Sequence, residues 1–451
     1  MICSPPKDQI VSRPTGFADL AGLRVGIFGY GVEGRASARR LEDVAAHVVI
    51  VDDTLHEEGV LVSAEGGLDA LASCDVVLKS PGIARRRADV LALEEAGVVV
   101  TSALNLWLGE APLKRVIAVT GTKGKSTTTS LITFFLTCLG EDATSLGNIG
   151  RPPYDPDAAP AEGWLVVEVS SFQSTDLEVA PATVAVTSLG ADHLDWHGTL
   201  EQYWADKLSV TRLANPHATF VAASATAGLD QIGGDVVLVE TREPADHELA
   251  GALGLLGRHN ASNVALALEV VAHLTKRSRE SVTGAVALEA ENFVALRGRL
   301  TLIDEEVTAH GRILYVDDGL ATAPLPTVAA LEIFRDDDLA LLVGGFDRGV
   351  DYSPLVDALA ERTRRTNVIT MGAAGRRIGE GIATRGLDVT VIEVESMGEA
   401  VSVARARLAR GGVVVLSPAA SSFDRYRNWL ERSEDFAAHV RSREEWSPSG
   451  Q

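Results

Sequence analysis

Cysteine is scarce. The chain has 451 residues and three cysteines, Cys3, Cys74 and Cys138, far apart in sequence. An odd, sparse set is not a disulfide framework, and no CxxC pair is present to hold a metal. A reducing compartment is the simplest reading. Positive charge is also short. Lys and Arg number 41 against 62 Asp and Glu, a net charge of −21. That acidity argues against nucleic acid or an anionic membrane surface as a partner. It does not exclude a small anionic ligand, because a local cleft can be positive on an acidic protein. Long apolar runs are missing too: stretches such as 131–139 are too short to span a bilayer. Residues 1–16 lack a basic region followed by an apolar core, so no secretory leader is expected. The expectation is a cytoplasmic protein, monomeric, that binds neither nucleic acid nor membrane. Internal repeats and low-complexity tracts are also absent.

What is present is alternation. Short apolar runs at 24–28, 48–52, 75–80, 97–102, 115–120, 164–169, 183–189, 339–345, 367–372 and 412–417 read as buried strands. Longer helical patterns lie between them. Strand-then-helix alternation predicts an α/β fold with parallel sheets covered on both faces. Segment 104–114 reads as a linker before a new strand–loop–helix unit. The loop 151–163 holds four prolines, but both flanks look like one domain. After a long helical region (260–296) the pattern restarts. Three domains are expected, over 1–108, 109–297 and 298–451: a Rossmann-like domain, a central phosphate-loop ATPase-like domain and a second Rossmann-like domain.

Two glycine loops carry the first chemistry. Gly29-Tyr30-Gly31-Val32-Glu33-Gly34 follows the strand at 24–28 and opens a helical pattern. Glycines let backbone approach a phosphate, and the helix N-terminus attracts anions. Asp52 and Asp53 end the next strand, where a carboxylate can bind a ribose or a base. The same loop also fits a dinucleotide dehydrogenase or a purely structural turn. The second loop is more specific: Thr120-Gly121-Thr122-Lys123-Gly124-Lys125-Ser126-Thr127-Thr128. Backbone N–H groups would cradle phosphate oxygens, Lys125 would neutralise the β and γ charges, and Ser126 would reach Mg²⁺. It departs from a strict Walker A, since position 119 is Val. Glu168 ends a later strand, where a carboxylate suits the Mg²⁺ that bridges ATP phosphates. A nicotinamide dehydrogenase would leave this second loop, Glu168 and Lys207 unexplained.

TGTKGKSTT resembles the phosphate loop of the Mur ligase family, which includes folylpolyglutamate synthetases and joins an amino acid to a carboxylate through an acyl phosphate. EVSSFQ (168–173) resembles the glutamate-adding branch of that family. The resemblance makes Glu168 a magnesium ligand and Ser170 a substrate contact. Gly147-Asn148-Ile149-Gly150 matches a segment in which the family uses the asparagine on a UDP-sugar. Asp192-His193-Leu194-Asp195 resembles the family's D-H-[LM]-D motif, with Lys207 downstream. By spacing alone Lys207 would be a solvated helix lysine, and His193 with His197 could pass for zinc spacing. The bracketing Gly190 and Gly198 read as a loop and disfavour the zinc reading. In the family this lysine carries a carbamate made from CO₂, which turns a cation into an oxygen ligand for a second Mg²⁺. His193 and Lys207 are then the second metal's partners. Gly257-Arg258-His259-Asn260-Ala261-Ser262-Asn263 resembles the family's G-x-H-N-x-x-N, which puts Asn260 and Asn263 at the nucleotide; N-capping is the bland alternative for Asn260.

Near the C-terminus, 416–424 (LSPAASSFD) resembles the same branch, and 344–352 (GGFDRGVDY) the family's G-G-x-x-[KR]-x-x-[DN]-[FY]. Ser422, Trp429, Thr322 and Arg348 are then expected to hold glutamate, Arg348 as a carboxylate clamp. Two stretches depart. Where the branch reads H-R-x-E, this chain has Arg297-Gly298-Arg299-Leu300-Thr301, so the arginine survives as Arg299 and the histidine and glutamate do not. Where it reads N-D-S-K-A-T-N, this chain has Asp317-Asp318-Gly319-Leu320-Ala321-Thr322-Ala323. Arg299 and Asp318 survive as nucleotide contacts, but the lysine is Leu320. Removing one partner of a buried charge pair costs about 3–5 kcal/mol, so the amino acid must be held differently. The resemblance implies ATP, two Mg²⁺, UDP-N-acetylmuramoyl-L-alanine (at Gly29, Gly31, Gly34, Asp52, Asp53, Asn148 and Ser170) and glutamate. D-glutamate is the family default. The departures fall in the amino-acid pocket and raise L-glutamate as the alternative.

Overall fold

The computed structural model describes residues 12–158, 162–213 and 218–442. Cys3, the first residues of the leader reading and Pro160 lie outside them. The chain forms three sheets within two compact units. The first unit, Met1–Leu249 with Ala261–Glu289, carries two sheets; the second, Ala250–Asn260 with Ala290–Gln451, carries one.

The first sheet contains β1 (Arg24–Phe28), β2 (His47–Asp52), β3 (Val60–Val62), β4 (Val76–Lys79) and β5 (Val99–Thr101), in the order β3-β2-β1-β4-β5. Every pairing is parallel. The order reverses between β1 and β4, which opens a crevice at their carboxyl ends where ligands bind in such sheets. The second sheet holds β6 (Val116–Thr120), β7 (Ala143–Gly147), β8 (Trp164–Glu168), β9 (Thr183–Val186), β10 (Ala218–Ala222) and β11 (Val236–Val239), in the order β11-β10-β9-β6-β8-β7. Here too the pairings are all parallel. Buried end to end, β6 shows why its sequence is continuously apolar: both sheet faces are covered. The register sets Val119 against Glu168 and Thr120 against Val186. The phosphate loop, the Glu168 loop and the segment after β9 therefore leave the same edge side by side. Because β7 pairs with β8, the proline-bearing loop between them is internal to this sheet.

The third sheet comprises β12 (Thr301–Thr308), β13 (Gly311–Asp317), β14 (Leu339–Gly344), β15 (Thr366–Met371), β16 (Thr390–Glu393) and β17 (Gly412–Leu416), in the order β12-β13-β17-β14-β15-β16. It corrects the expectation of purely parallel sheets, because β12 and β13 pair antiparallel. Only Ala309 and His310 separate them, and so short a connection can join only antiparallel strands. Two more expectations change. The helical region at 260–296 is two helices, Arg258–Thr275 and Arg279–Glu289, broken where Lys276 takes φ 55°. The segment read as a linker at 104–114 is mostly the helix Ala103–Glu110. Ser102 caps it by accepting from the Asn105 N–H at 3.1 Å, and Leu104, Leu106 and Leu108 are buried in the core.

Among the described residues, no helix is long and apolar enough to cross a membrane.

Candidate active site

The phosphate loop links β6 to the helix Lys125–Cys138. A helix that starts at Lys125 directs its first N–H groups into the loop, where an anion can take them up. The loop is pinned from behind. Thr122 N donates to Ser188 O at 2.7 Å, and the Thr122 hydroxyl meets Gly190 N at 3.0 Å and the Tyr203 hydroxyl at 3.1 Å. Gly124 has φ +86°, and a Cβ there would stand 2.5 Å from Oδ1 of Asn263. The close approach of Asn263 therefore requires glycine. Ser126 is buried in the first helical turn and Thr127 half-buried.

Two lysines converge on one carbonyl. Lys125 Nζ donates to Gly121 O and Thr122 O, both at 3.0 Å. Lys207 Nζ donates to Gly121 O at 2.8 Å. Lys123 instead reaches solvent and pairs with Asp192 at 3.1 Å. Lys207 is not the solvated helix lysine that spacing alone suggested: it is 1% exposed, with Nζ 4.8 Å from the Tyr203 ring centre. Burial, reinforced by the Lys125 charge, pushes its pKa well below the ordinary lysine range and favours the neutral amine.

Glu168 is 1% exposed at the end of β8. Its Oε1 accepts from Asn148 Nδ2 at 3.0 Å; its buried Oε2 has no partner. A carboxylate oxygen left so is costly, and a hard cation would satisfy it. No three His, Cys, Asp or Glu side chains among the described residues group to hold a metal by themselves. A cation at Glu168 would complete its shell with the Ser126 hydroxyl and nucleotide phosphates, so the residues fit Mg²⁺ brought with ATP. His193 is exposed, in a left-handed conformation (φ 50°), its ring 4.9 Å from Phe172. The segment after it is one helical turn, Leu194–His197, where a loop was expected. Both ring nitrogens of His197 are engaged, by Asp206 at 2.7 Å and Ser171 at 3.0 Å. The HxxxH pair is thus not arranged for zinc.

In the first sheet, Asp52 accepts from the backbone N–H groups of Tyr30 (2.8 Å), Thr54 and Leu55 (both 3.0 Å). Burial alone would raise its pKa, but those donors outweigh it and hold the carboxyl below the ordinary range. Asp52 thus closes the glycine loop, with Gly31 as N-cap and Gly34 in the first turn of the helix Val32–Leu41. Gly29 O accepts from Ser80 Oγ at 2.7 Å, joining the loops after β1 and β4. Asp53 takes both Arg87 amino groups, at 2.5 and 2.9 Å, and Ser63 at 2.8 Å. Ser170 forms a reciprocal capping box with Gln173.

The second unit gathers its expected residues at the carboxyl ends of β13, β17 and β14. Asp318 is buried beside Ser417 (2.7 Å), and burial lifts its pKa to about 7. Arg348 donates to Ser421 at 3.1 Å and lies over the Phe423 ring. Ser422 is buried, and its carbonyl accepts from Arg425 N and Tyr426 N. Thr322 is exposed, as is Arg299, whose charge acts on Asp318. Asn260 Nδ2 donates to Leu256 O at 2.8 Å. The two sequence departures meet in space: Leu320 N donates to Gly298 O at 3.1 Å, and a Cβ on Gly298 (φ +69°) would stand 2.6 Å from the Trp429 ring. A histidine at 298 would collide with that ring.

The comparisons with known proteins follow this geometry. Residues 119–233 match the Mur ligase middle domain. A UDP-N-acetylmuramoyl-L-alanine–L-glutamate ligase of Micromonospora sp. is 36% identical over 460 residues, covering 94% of this chain and 98% of its own. The protein of the same name from Xanthomonas euvesicatoria is 33% identical over 459 residues, covering 93% and 95%. The chain belongs to the Mur ligase family. As a Mur ligase it is an ATP-dependent, amide-bond-forming enzyme of peptidoglycan precursor synthesis. Among solved structures, the UDP-N-acetylmuramate–alanine ligase of Thermotoga maritima shares the fold with a TM-score of 0.53 at 17% identity, over 94% of this chain and 100% of that one. The MurF ligase of the same organism, in complex with ADP, gives 0.51 at 15%, over 97% and 100%.

Three buried charged residues of this Mur ligase were not singled out from sequence. Lys79 and Asp176 form a fully buried ion pair at 2.7 Å. A lysine closing the apolar run DVVLKS was the available signal. Arg432 is 3% exposed and donates to Gly319, Gly344 and Ala420 carbonyls, stitching the loops after β13, β14 and β17. Burial lowers its pKa to about 10. Nothing in its helical surroundings marks it in the sequence.

Proposed function

We propose that this Mur ligase joins L-glutamate to UDP-N-acetylmuramoyl-L-alanine. The alanyl carboxylate oxygen attacks the γ-phosphorus of ATP and ADP leaves, giving an acyl phosphate. The glutamate amine then attacks the acyl carbon; phosphate leaves and the amine loses its proton. Lys125 and the first N–H groups of its helix stabilise the charge spreading over the transferred phosphoryl. Ser126, Glu168, His193 and Lys207 would hold two Mg²⁺, which would neutralise phosphate charge. Lys207 is carbamylated in this reading: its neutral amine adds to CO₂, forming an N–C bond and losing a proton. The observation that carries the phosphoryl-transfer reading is the buried, unsatisfied Glu168 Oε2 on the strand beside the phosphate loop.

The UDP-sugar is assigned to the crevice of the first sheet (Gly29, Gly31, Gly34, Asp52, Asp53) with Asn148 and Ser170. The nucleotide is assigned to 121–127 with Asn260, Asn263, Arg299 and Asp318, and glutamate to Thr322, Arg348, Ser422 and Trp429. The three-domain division at 108 and 297, a monomeric state and a cytoplasmic site of action belong to the same proposal. The L-enantiomer is favoured by the names of the relatives and by the joined departures at Gly298 and Leu320. The test is a product assay with UDP-N-acetylmuramoyl-L-alanine, ATP and either D- or L-glutamate. Ligation of L-glutamate with little of D is expected. Preference for D overturns the enantiomer, and use of neither overturns the substrate class.

A further inference from the structure

The first unit contains a Ser–His–Asp constellation that none of the assigned roles uses. His197 Nδ1 lies 2.7 Å from Asp206 Oδ2, and His197 Nε2 lies 3.0 Å from Ser171 Oγ. Asp206 is held as the anion: it also takes both Arg86 amino groups, at 3.2 and 3.0 Å, and Gln202 at 2.7 Å. The carboxylate makes Nδ1 the protonated nitrogen, so Nε2 accepts from the Ser171 hydroxyl. The same geometry in a hydrolase activates a nucleophile. Here Ser171 is 2% exposed and His197 5%, so no substrate reaches the hydroxyl. The ring is also packed on every side, stacked on Phe172 at 5.5 Å, edge-on to Tyr203 at 5.1 Å and against Trp196 at 4.4 Å. The constellation is mechanical.

What it connects gives it a purpose. Ser171 lies three residues after Glu168 and opens the short helix Ser171–Ser174 that follows β8, and Asp206 is the residue before Lys207 on the helix Leu200–Arg212. His193 opens the turn that His197 closes. The imidazole thus ties the helical turn behind Glu168 to the helix that carries Lys207.

We propose that His197 is a positioning residue that fixes the spacing between Glu168 and Lys207, and so sets the affinity of the site for a divalent cation. The proposal rests on the reading of Glu168 and Lys207 as metal-site residues. A multidentate site gains affinity when its ligands are held in place before the ion arrives, and supporting residues outside the ligand shell change metal affinity about 10–100-fold when removed.

His197→Phe keeps the stacked ring and deletes both hydrogen bonds. Mn²⁺ binding to full-length enzyme with ADP is read by the electron paramagnetic resonance signal of free Mn²⁺, which needs no turnover. The expected result is tenfold or more weaker Mn²⁺ binding in His197→Phe. His197→Asn, whose amide can still reach Asp206, should fall between that variant and wild type, and it carries the test if the phenylalanine variant does not fold. Glu168→Gln separates the two readings. Weakened binding in Glu168→Gln with wild-type binding in both His197 variants overturns the positioning role alone. Unchanged binding in Glu168→Gln overturns the metal-site reading, and this inference with it.

Discussion

The ends of the second and third sheets are built on one plan and hold their charges differently. At the second sheet, Lys125 and Lys207 meet on a single carbonyl, Thr122 is tied to Ser188, Gly190 and Tyr203, and Glu168 keeps one buried oxygen open. At the third sheet, Arg432 spends its donors on backbone carbonyls, while Arg299 and Arg348 are exposed. A phosphate chain with Mg²⁺ has fixed geometry, and a rigid, pre-set charge array suits it. An amino acid can be held in more than one way. In the proposed reading the buried arginine shapes the loops, and the exposed Arg348 meets the glutamate carboxylate. In that reading, shape, through Gly298 and Trp429, would carry selectivity.

The sharpest way to break this contrast is Lys207→Ala. A pre-set array loses its function when one member goes, so turnover should fall by about 10²–10³-fold. Formate or acetate should restore part of it by standing in for the carbamate oxygen. Steady-state phosphate release with and without the added carboxylate measures both. Turnover unchanged in their absence would remove the carbamate from the mechanism.

Gly298→Ala probes the other end. Its Cβ would press on the Trp429 ring at 2.6 Å and on Leu320 N at 3.1 Å, in a left-handed backbone that side chains resist. A shift of about 1 Å at a positioned reactant can cost about 10²-fold. We expect kcat/KM for glutamate to fall by about 10–100-fold while the KM for ATP holds. Equal losses for both substrates would show that Gly298 serves the fold as a whole and not the amino-acid pocket.

The sequence was most legible where local chemistry is compulsory. The apolar runs match strands because buried parallel strands must be continuously apolar. TGTKGKSTT reads correctly as strand, loop and helix start because those glycines serve few other purposes. Pairings between distant residues could not be read. Arg86 with Asp206, Lys79 with Asp176 and Gly298 with Trp429 are fixed by strand order and not by spacing. The antiparallel β12–β13 pair went unseen because its pattern is half-exposed and polar, with Asp304, Glu305 and Glu306 in the strand. The role of His197 was hidden for a similar reason: its partners lie 26 and 9 residues away, one on each side.

Asp318 gives the smallest effect and a sign that can be worked out in advance. Its carboxyl is buried, accepts from Ser417 Oγ at 2.7 Å, and sits beside Asp317, whose own pKa burial raises. Burial lifts Asp318 from 3.8 to about 7. Between those values the folded chain binds the proton and the unfolded chain has released it. Stability carried by this group is therefore present at low pH, falls as pH rises through that interval, and is lost above about 7. Asp318→Asn cannot titrate, so its stability should fall less than that of the wild type between pH 6 and 8, by about 1–2 kcal/mol. Paired denaturant titrations across that range isolate the difference, because groups distant from Asp318 titrate alike in both proteins. Parallel curves would mean that Asp318 stays ionised, its charge met by Arg299, and that the third sheet's loops hold a fixed charge after all.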